Sequence, residues 1–334
     1  MWSLLNPLMK SRARLDETTM RELFAADPDR FKTFSVKAGH FYTIIGYEGV
    51  PSINNFFYSK SFAYQFAGPF THWGGLATWH LNDRITLQGG LVNGWDSLDR
   101  TKDSTTGLAS IKYTAPENLW SLSFSMVTGN EPSAVATQFE TRTRYSLIFT
   151  AHPAERWEYV FHHHYAYQNQ GKVDGGTARW YGIDNYLYYA LTDQWRAGLR
   201  FEWMRDEAGT RVGGNPVRDN PNLGPFAGSF YSLSAGLNYR PHPNVLIRPE
   251  VRADWFDGQR SPYNDGLNKN QVLAAINGRV AMVGSSVPRL PEMINVATNN
   301  LLRLPFVVRI SSFVRNVSRD TFHASRSYFA KLLT

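Results

Sequence analysis

From about residue 34 to residue 277 the chain alternates apolar and polar side chains at every second position, segment after segment. Between 195 and 204, Trp195, Ala197, Leu199, Phe201 and Trp203 share one face, with Arg196, Gly198, Arg200, Glu202 and Met204 on the other. Tyr231 to Arg240, Val245 to Trp255 and Trp120 to Met126 repeat the pattern. Period two is the signature of a strand with two different environments. It predicts about twelve strands, at 34–41, 70–81, 84–95, 108–114, 119–128, 141–152, 157–168, 178–190, 195–205, 230–240, 245–256 and 271–277. The connections alternate too. Short turns near 82–83, 115–118, 153–156, 191–194 and 241–244 interleave with longer polar loops near 96–107, 129–140, 169–177, 206–229 and 257–270. Such a rhythm predicts an up-and-down antiparallel meander with different surroundings at its two ends. Residues 42–69 form a long insertion rich in Phe, Tyr, Gly and Ser, and only Leu15 to Ala25 has a trace of helical period.

Alternation alone does not distinguish a soluble sandwich, with its apolar face in a core, from a membrane barrel, with that face in lipid. The aromatic spacing adds information. Trp157 and Tyr165, Tyr181 and Tyr189, Trp195 and Trp203, and Tyr231 and Tyr239 are pairs eight residues apart. Eight residues at about 3.3 Å span roughly 26 Å of strand. At a tilt of about 40° that is roughly 20 Å of height, near the ~25 Å apolar band between the two aromatic girdles of a membrane barrel. Tyr and Trp suit those borders because an apolar ring carries a group that stays wet. These eight residues are the candidate girdle.

The opposite face is charged. Arg144, Glu158, Asp184, Arg196, Arg200, Glu202, Arg248, Glu250, Arg252 and Asp254 are its candidate lining. Sealing such a wall in a dry core carries a large desolvation cost, whereas a water-filled channel solvates it. The expectation is therefore a transmembrane β-barrel with these ten side chains toward a wet lumen.

Composition agrees and narrows the chemistry. The 334 residues include 10 Trp, 17 Tyr and 21 Phe, a heavy load for a soluble domain, and no Cys. Disulfide scaffolds, cysteine nucleophiles and thiolate metal sites are excluded. No run of 18 apolar residues is present, which excludes a transmembrane helix. The net charge of +7 is unevenly placed: +1 in residues 1–33, zero in 34–277 and +6 in 278–334. The basic character belongs to the tail, whose cations are spaced singly among apolar residues, so no nucleic-acid partner is expected.

His162-His163-His164 invites a metal reading, but on a strand only His162 and His164 share a face, and no further ligand lies nearby in sequence. Glu250 and Asp254 share a face with Arg248 and Arg252, which makes charge-balanced lining the better reading than a catalytic carboxylate pair. Val212-Gly213-Gly214-Asn215 lacks the lysine of a phosphate loop, and no Gly-x-Ser-x-Gly elbow occurs. Asp99, Asp103, Asp206, Glu207, Asp219 and Asp265 lie in long loops with a spacing that fits no EF-hand. No enzyme, cofactor or metal is expected.

Residues 36–96 resemble the OmpL-like family of outer-membrane β-barrel porins in motif, and the later strands, through about Asn277, are similar to it in style. The resemblance is carried by Val36-Lys37-Ala38-Gly39-His40-Phe41-Tyr42-Thr43-Ile44-Ile45-Gly46-Tyr47-Glu48, Asn55-Phe56-Phe57-Tyr58-Ser59, Gly68-Pro69-Phe70-Thr71-His72 and Leu91-Val92-Asn93-Gly94-Trp95-Asp96. It implies a barrel in the bacterial outer membrane that passes small hydrophilic solutes, with lipid as its other partner. It transfers no catalytic residue. The ends depart from that pattern. Met1 to Arg14 has its charges after its apolar residues, the reverse of a signal peptide. Residues 1–33 read as an atypical segment, 34–277 as the barrel domain and 278–334 as a basic tail outside the regular strands. A frameshift or mistaken gene boundaries would produce such ends. The competing reading from another class is a non-channel all-β surface protein that binds carbohydrate through exposed Trp and Tyr. Solute, selectivity and oligomeric state are not legible.

Overall fold

The computed structural model describes residues 34–98, 105–134, 138–212, 225–264 and 266–280. Each alternating segment forms a strand, and short polar turns return the chain antiparallel to its predecessor. The strands are β1 (Phe34–Tyr42), β2 (Thr71–His80), β3 (Ile85–Val92), β4 (Thr106–Thr114), β5 (Trp120–Pro132) and β6 (Phe139–Ala154). They continue as β7 (Trp157–Gln168), β8 (Ala178–Ala190), β9 (Trp195–Asp206), β10 (Gly228–His242), β11 (Val245–Gly258) and β12 (Asn270–Val280). All twelve belong to one sheet in sequence order, the expected meander. β1 and β12 pair only with β2 and β11, so the ring is not closed by a β1–β12 pairing. Among the described residues no helix is long and apolar enough to cross a membrane.

Register is fixed by burial. Glu202 pairs with Asp184 on β8 and with Ser232 on β10, and Ser232 pairs with Asp254 on β11. A slip of one residue would turn every one of these side chains to the other face. β12 runs to Val280, three residues past the expected border at 277. The rest of the expected tail, the N-terminal segment with Leu15 to Ala25, and Asp99, Asp103, Asp219 and Asp265 lie outside the described residues.

The two faces differ as the pattern requires. Leu122, Phe124, Leu187, Leu199, Leu233 and Val251 stand exposed on the outer face. The inner face carries most of the buried side chains, polar ones included. What buries them is the insertion. Residues 43–70 leave β1 and return to β2, closed at the neck by the Thr43 N–H donating to the Phe70 carbonyl at 2.9 Å. The segment holds a 3₁₀ turn (Ser52–Asn54) and one short helix, α1 (Phe62–Phe66). Ser61 caps α1, its side chain accepting from the Tyr64 N–H at 3.1 Å.

Candidate pore face and the segment inserted against it

The insertion is held first by rings. Phe57 packs with Val160, Tyr186 and Tyr188, and Phe62 with Phe230. Phe56 lies against Gly198, where an added Cβ would come 2.4 Å from its ring. The Trp180 indole N–H donates to the Ala67 carbonyl at 3.0 Å, and Arg211 Nε to the Phe66 carbonyl at 2.8 Å.

Charge on the sheet then binds the backbone of the insertion. Arg248 Nη1 donates to the carbonyls of Ser52 and Asn55, both at 2.9 Å. Arg200 Nη1 donates to the Ser59 carbonyl at 2.9 Å and Arg252 Nη1 to that of Lys60 at 2.6 Å. The acids take the amides. Glu250 accepts from the N–H groups of Tyr58 at 2.8 Å and Ser59 at 3.1 Å, and from the Ser59 hydroxyl. Glu202 accepts from the Phe62 N–H at 2.6 Å. The insertion supplies one acid of its own: Glu48 accepts from Arg200 at 2.9 Å, the Tyr186 hydroxyl at 3.2 Å and the Ser61 N–H at 3.0 Å.

Arg200 is the hub. Besides Glu48, its Nε lies 2.7 Å from Glu202 Oε1. Arg252 donates to Asp254 at 2.6 Å and approaches Glu202 at 3.6 Å. Asp184 binds His162 Nδ1 at 2.7 Å, and His162 Nε2 meets the Ser146 hydroxyl at 2.8 Å. Both nitrogens of His162 are therefore engaged within the sheet. Nearer the short-turn end, Arg196 pairs with the Glu158 carboxylate at 2.8 Å and lies 4.5 Å over the Tyr188 ring. Among the described residues no group of three or more His, Asp or Glu is placed to hold a metal.

All ten charged candidates thus stand on the inner face, but not as expected. Only Glu158 and Arg196 keep substantial exposure; Arg144, Asp184, Arg200, Glu202, Arg248, Glu250, Arg252 and Asp254 are buried. Peptide groups of the insertion, rather than water, bind Arg200, Glu202, Arg248, Glu250 and Arg252, whereas Asp254 is held by Arg252 and Gln271 and Asp184 by His162. Burial of ions becomes tolerable when their remaining hydrogen-bonding sites are filled. The partners on the insertion side, Glu48, Ser59, Lys60 and Phe62, were missed by sequence reasoning. The one available signal was polar residues inside an aromatic stretch. Burial pushes the Glu48 carboxyl up, against Arg200, and lowers the Lys60 ammonium to about 8, against Glu48.

On the outer face the aromatic candidates meet in two lines. Near the short turns Trp157 packs on Tyr189 at 4.5 Å and Trp195 stacks on Tyr239 at 4.2 Å. Toward the long loops Tyr165 stacks on Tyr181 at 5.9 Å, Tyr181 meets Trp203 edge-on at 5.8 Å, and Tyr231 stacks on Trp255 at 5.5 Å.

Residues 23–281 match the family model described as "Putative beta-barrel porin-2, OmpL-like". The chain belongs to this porin family. Its fold is similar to that of the outer-membrane channel DcaP of Acinetobacter baumannii, at 14% identity over 73% of this chain and 71% of that one, with a TM-score of 0.51. Weaker likenesses are to the NanC porin (11% identity, 64% of this chain and 92% of that one, TM-score 0.34) and to a Pseudomonas aeruginosa FadL homologue (11%, 62% and 65%, TM-score 0.34). No curated protein matches the chain in sequence. The resemblance seen in residues 36–96 therefore extends through β12, and a porin of the outer-membrane β-barrel kind is what the membership gives.

Proposed function

We propose that this porin is a passive, water-filled channel for small hydrophilic solutes, with the insertion 43–70 lying in its lumen and narrowing it. One observation carries the reading: an apolar outer face with two aromatic lines is backed by an inner face of charged side chains that clasp a segment of the same chain. A carbohydrate-binding surface would present its Trp and Tyr beside polar partners. Here the outer aromatics border Leu199, Leu233 and Val251, a surface suited to lipid. The ten inner residues are lining in two senses. Glu158 and Arg196 face the open space, and the other eight form the wall on which the insertion rests. The eight aromatic candidates are the girdles. The experiment is conductance of the refolded chain in a planar lipid bilayer. Stepwise openings that scale with salt concentration support a water-filled pore. Stable insertion into the bilayer without conductance overturns it.

A further inference from the structure

Resting on the reading of this chain as a water-filled porin, we propose that the side of the lumen left open by the insertion binds small polyhydroxylated carboxylates, sugar acids in chemistry, at Lys112. The charged contacts of the insertion fall on β9 and β11, and its rings on β7 to β10. Toward the long loops Ile45 and Ala67 also join Val92, Leu108 and Val127 in one apolar cluster. Toward the short turns the inner face of β3, β4 and β5 stays open. Lys112 on β4 is exposed there, and it pairs in register with Thr86 on β3 and Ser123 on β5. The same row runs on through Ile148 and His162 to Asp184, so Lys112 stands on the inner face. Ser110 and Thr114 flank it on β4, two residues to either side, and Thr114 pairs with Ser121. All five hydroxyl residues keep partial exposure. One ammonium is thus ringed by hydroxyls, spaced about 4.8 Å between strands and roughly 7 Å along them.

The charge of Lys112 is not spent within the protein. Arg196, Arg200 and Arg252 each lie against a carboxylate, whereas Lys112 has neither ion pair nor hydrogen bond among the described residues. β1 to β4 carry no acid, and Asp83 and Glu117 lie out in the short turns. Glu131, at the far end of β5, is buried and taken by the Trp95 N–H at 3.0 Å and by Arg142 at 3.5 Å. A carboxylate meets the ammonium with opposite charge and an acceptor, and the surrounding Ser and Thr both donate and accept, as the hydroxyls of a sugar do. No Trp, Tyr or Phe shares this face of β3 to β5, so a ligand that binds through an apolar ring face finds nothing to stack on.

The full chain, refolded into a planar bilayer, is titrated in potassium chloride of about 0.1 M with three probes of one ring size: glucuronate, glucose and cyclohexanecarboxylate. Glucuronate should reduce the open-channel current at concentrations about tenfold lower than either of the others, the worth of one charge-assisted hydrogen bond. Lys112→Met should bring glucuronate down to the level of glucose, and Lys112→Arg should keep the difference. Equal block by glucuronate and glucose, or a Lys112→Met pore that still separates them, overturns the proposal. Equal block by cyclohexanecarboxylate leaves the hydroxyls without a part and overturns it too. If Lys112→Met does not refold, the three probes on the unmodified chain decide. A chain that carries no potassium chloride current fails earlier, at the pore itself, so the two failures are told apart.

Discussion

Arg200 touches Glu48, Glu202, the Ser59 carbonyl and hydroxyl and the Ser234 hydroxyl, and no water reaches it. Removing one member of such a cluster leaves the others charged and buried, which typically costs about 3–5 kcal/mol. Arg200→Met should therefore lower stability by roughly that amount, measured by urea unfolding of the refolded protein. The outer face makes a different prediction at the same scale. Leu199 is 50% exposed, at mid-strand between Trp195 and Trp203. Leu199→Arg should cost about 2–4 kcal/mol when the protein folds into lipid vesicles, the cost of a cation at the bilayer midplane. A variant that folds as well as the parent would show that this face does not meet hydrocarbon.

At the level of elements, the insertion is bound largely through its peptide groups. Four arginines take carbonyls and two glutamates take amides, so the binding depends on the path of the chain more than on its side chains. Replacing residues 50–66 by a short Gly-Ser linker should widen the lumen and raise single-channel conductance. It should also lower the melting temperature, because Arg248, Glu250 and Arg252 lose the peptide partners that the insertion supplies. Lys60 adds a pH dependence. Its ammonium is lowered from the ordinary 10.5 to about 8 by burial, so the folded chain binds fewer protons than the unfolded one between those values. Stability should rise as pH increases through that window. The loss of the Lys60 charge above pH 8 should also shift the reversal potential toward cations. Lys60→Met should remove that pH step, and an unchanged step would place its origin elsewhere.

For the whole molecule, the inner face carries five arginines and five acids among its ten candidates. The structure interleaves them: Arg200 lies against Glu202 and Arg252 against Asp254. A positive ladder of Arg196, Arg200 and Arg248 does not form, since β10 separates β9 from β11 and the acids intervene. Strong selectivity needs a ring of one sign at a constriction. Reversal potentials across a salt gradient should therefore show weak selectivity near neutral pH. A strongly cation-selective channel would place the constriction outside this wall.

What the sequence determined by itself is the part governed by local period. Side chains two apart on a strand share a face, so alternation gave the twelve strands, most of their borders to within two residues and the side to which each charge points. The eight-residue aromatic spacing likewise anticipated the two lines of ring contacts, because eight is an even number of residues along one strand. Even β12 was legible as a beginning, at Gln271 to Asn277. The place of residues 43–70 was not. Their aromatic and polar composition fits an outward loop as well as an inward one, and the partners that decide between them lie more than 100 residues away, as Trp180 does from Ala67 and Glu202 from Phe62. Only the tertiary structure brings them together, and it reverses the expected means of satisfying the charged face. Alternation says which way a side chain points and nothing about what meets it there. On this face peptide amides and carbonyls, already desolvated by surrounding rings, pair with ions that the sequence would have left to water.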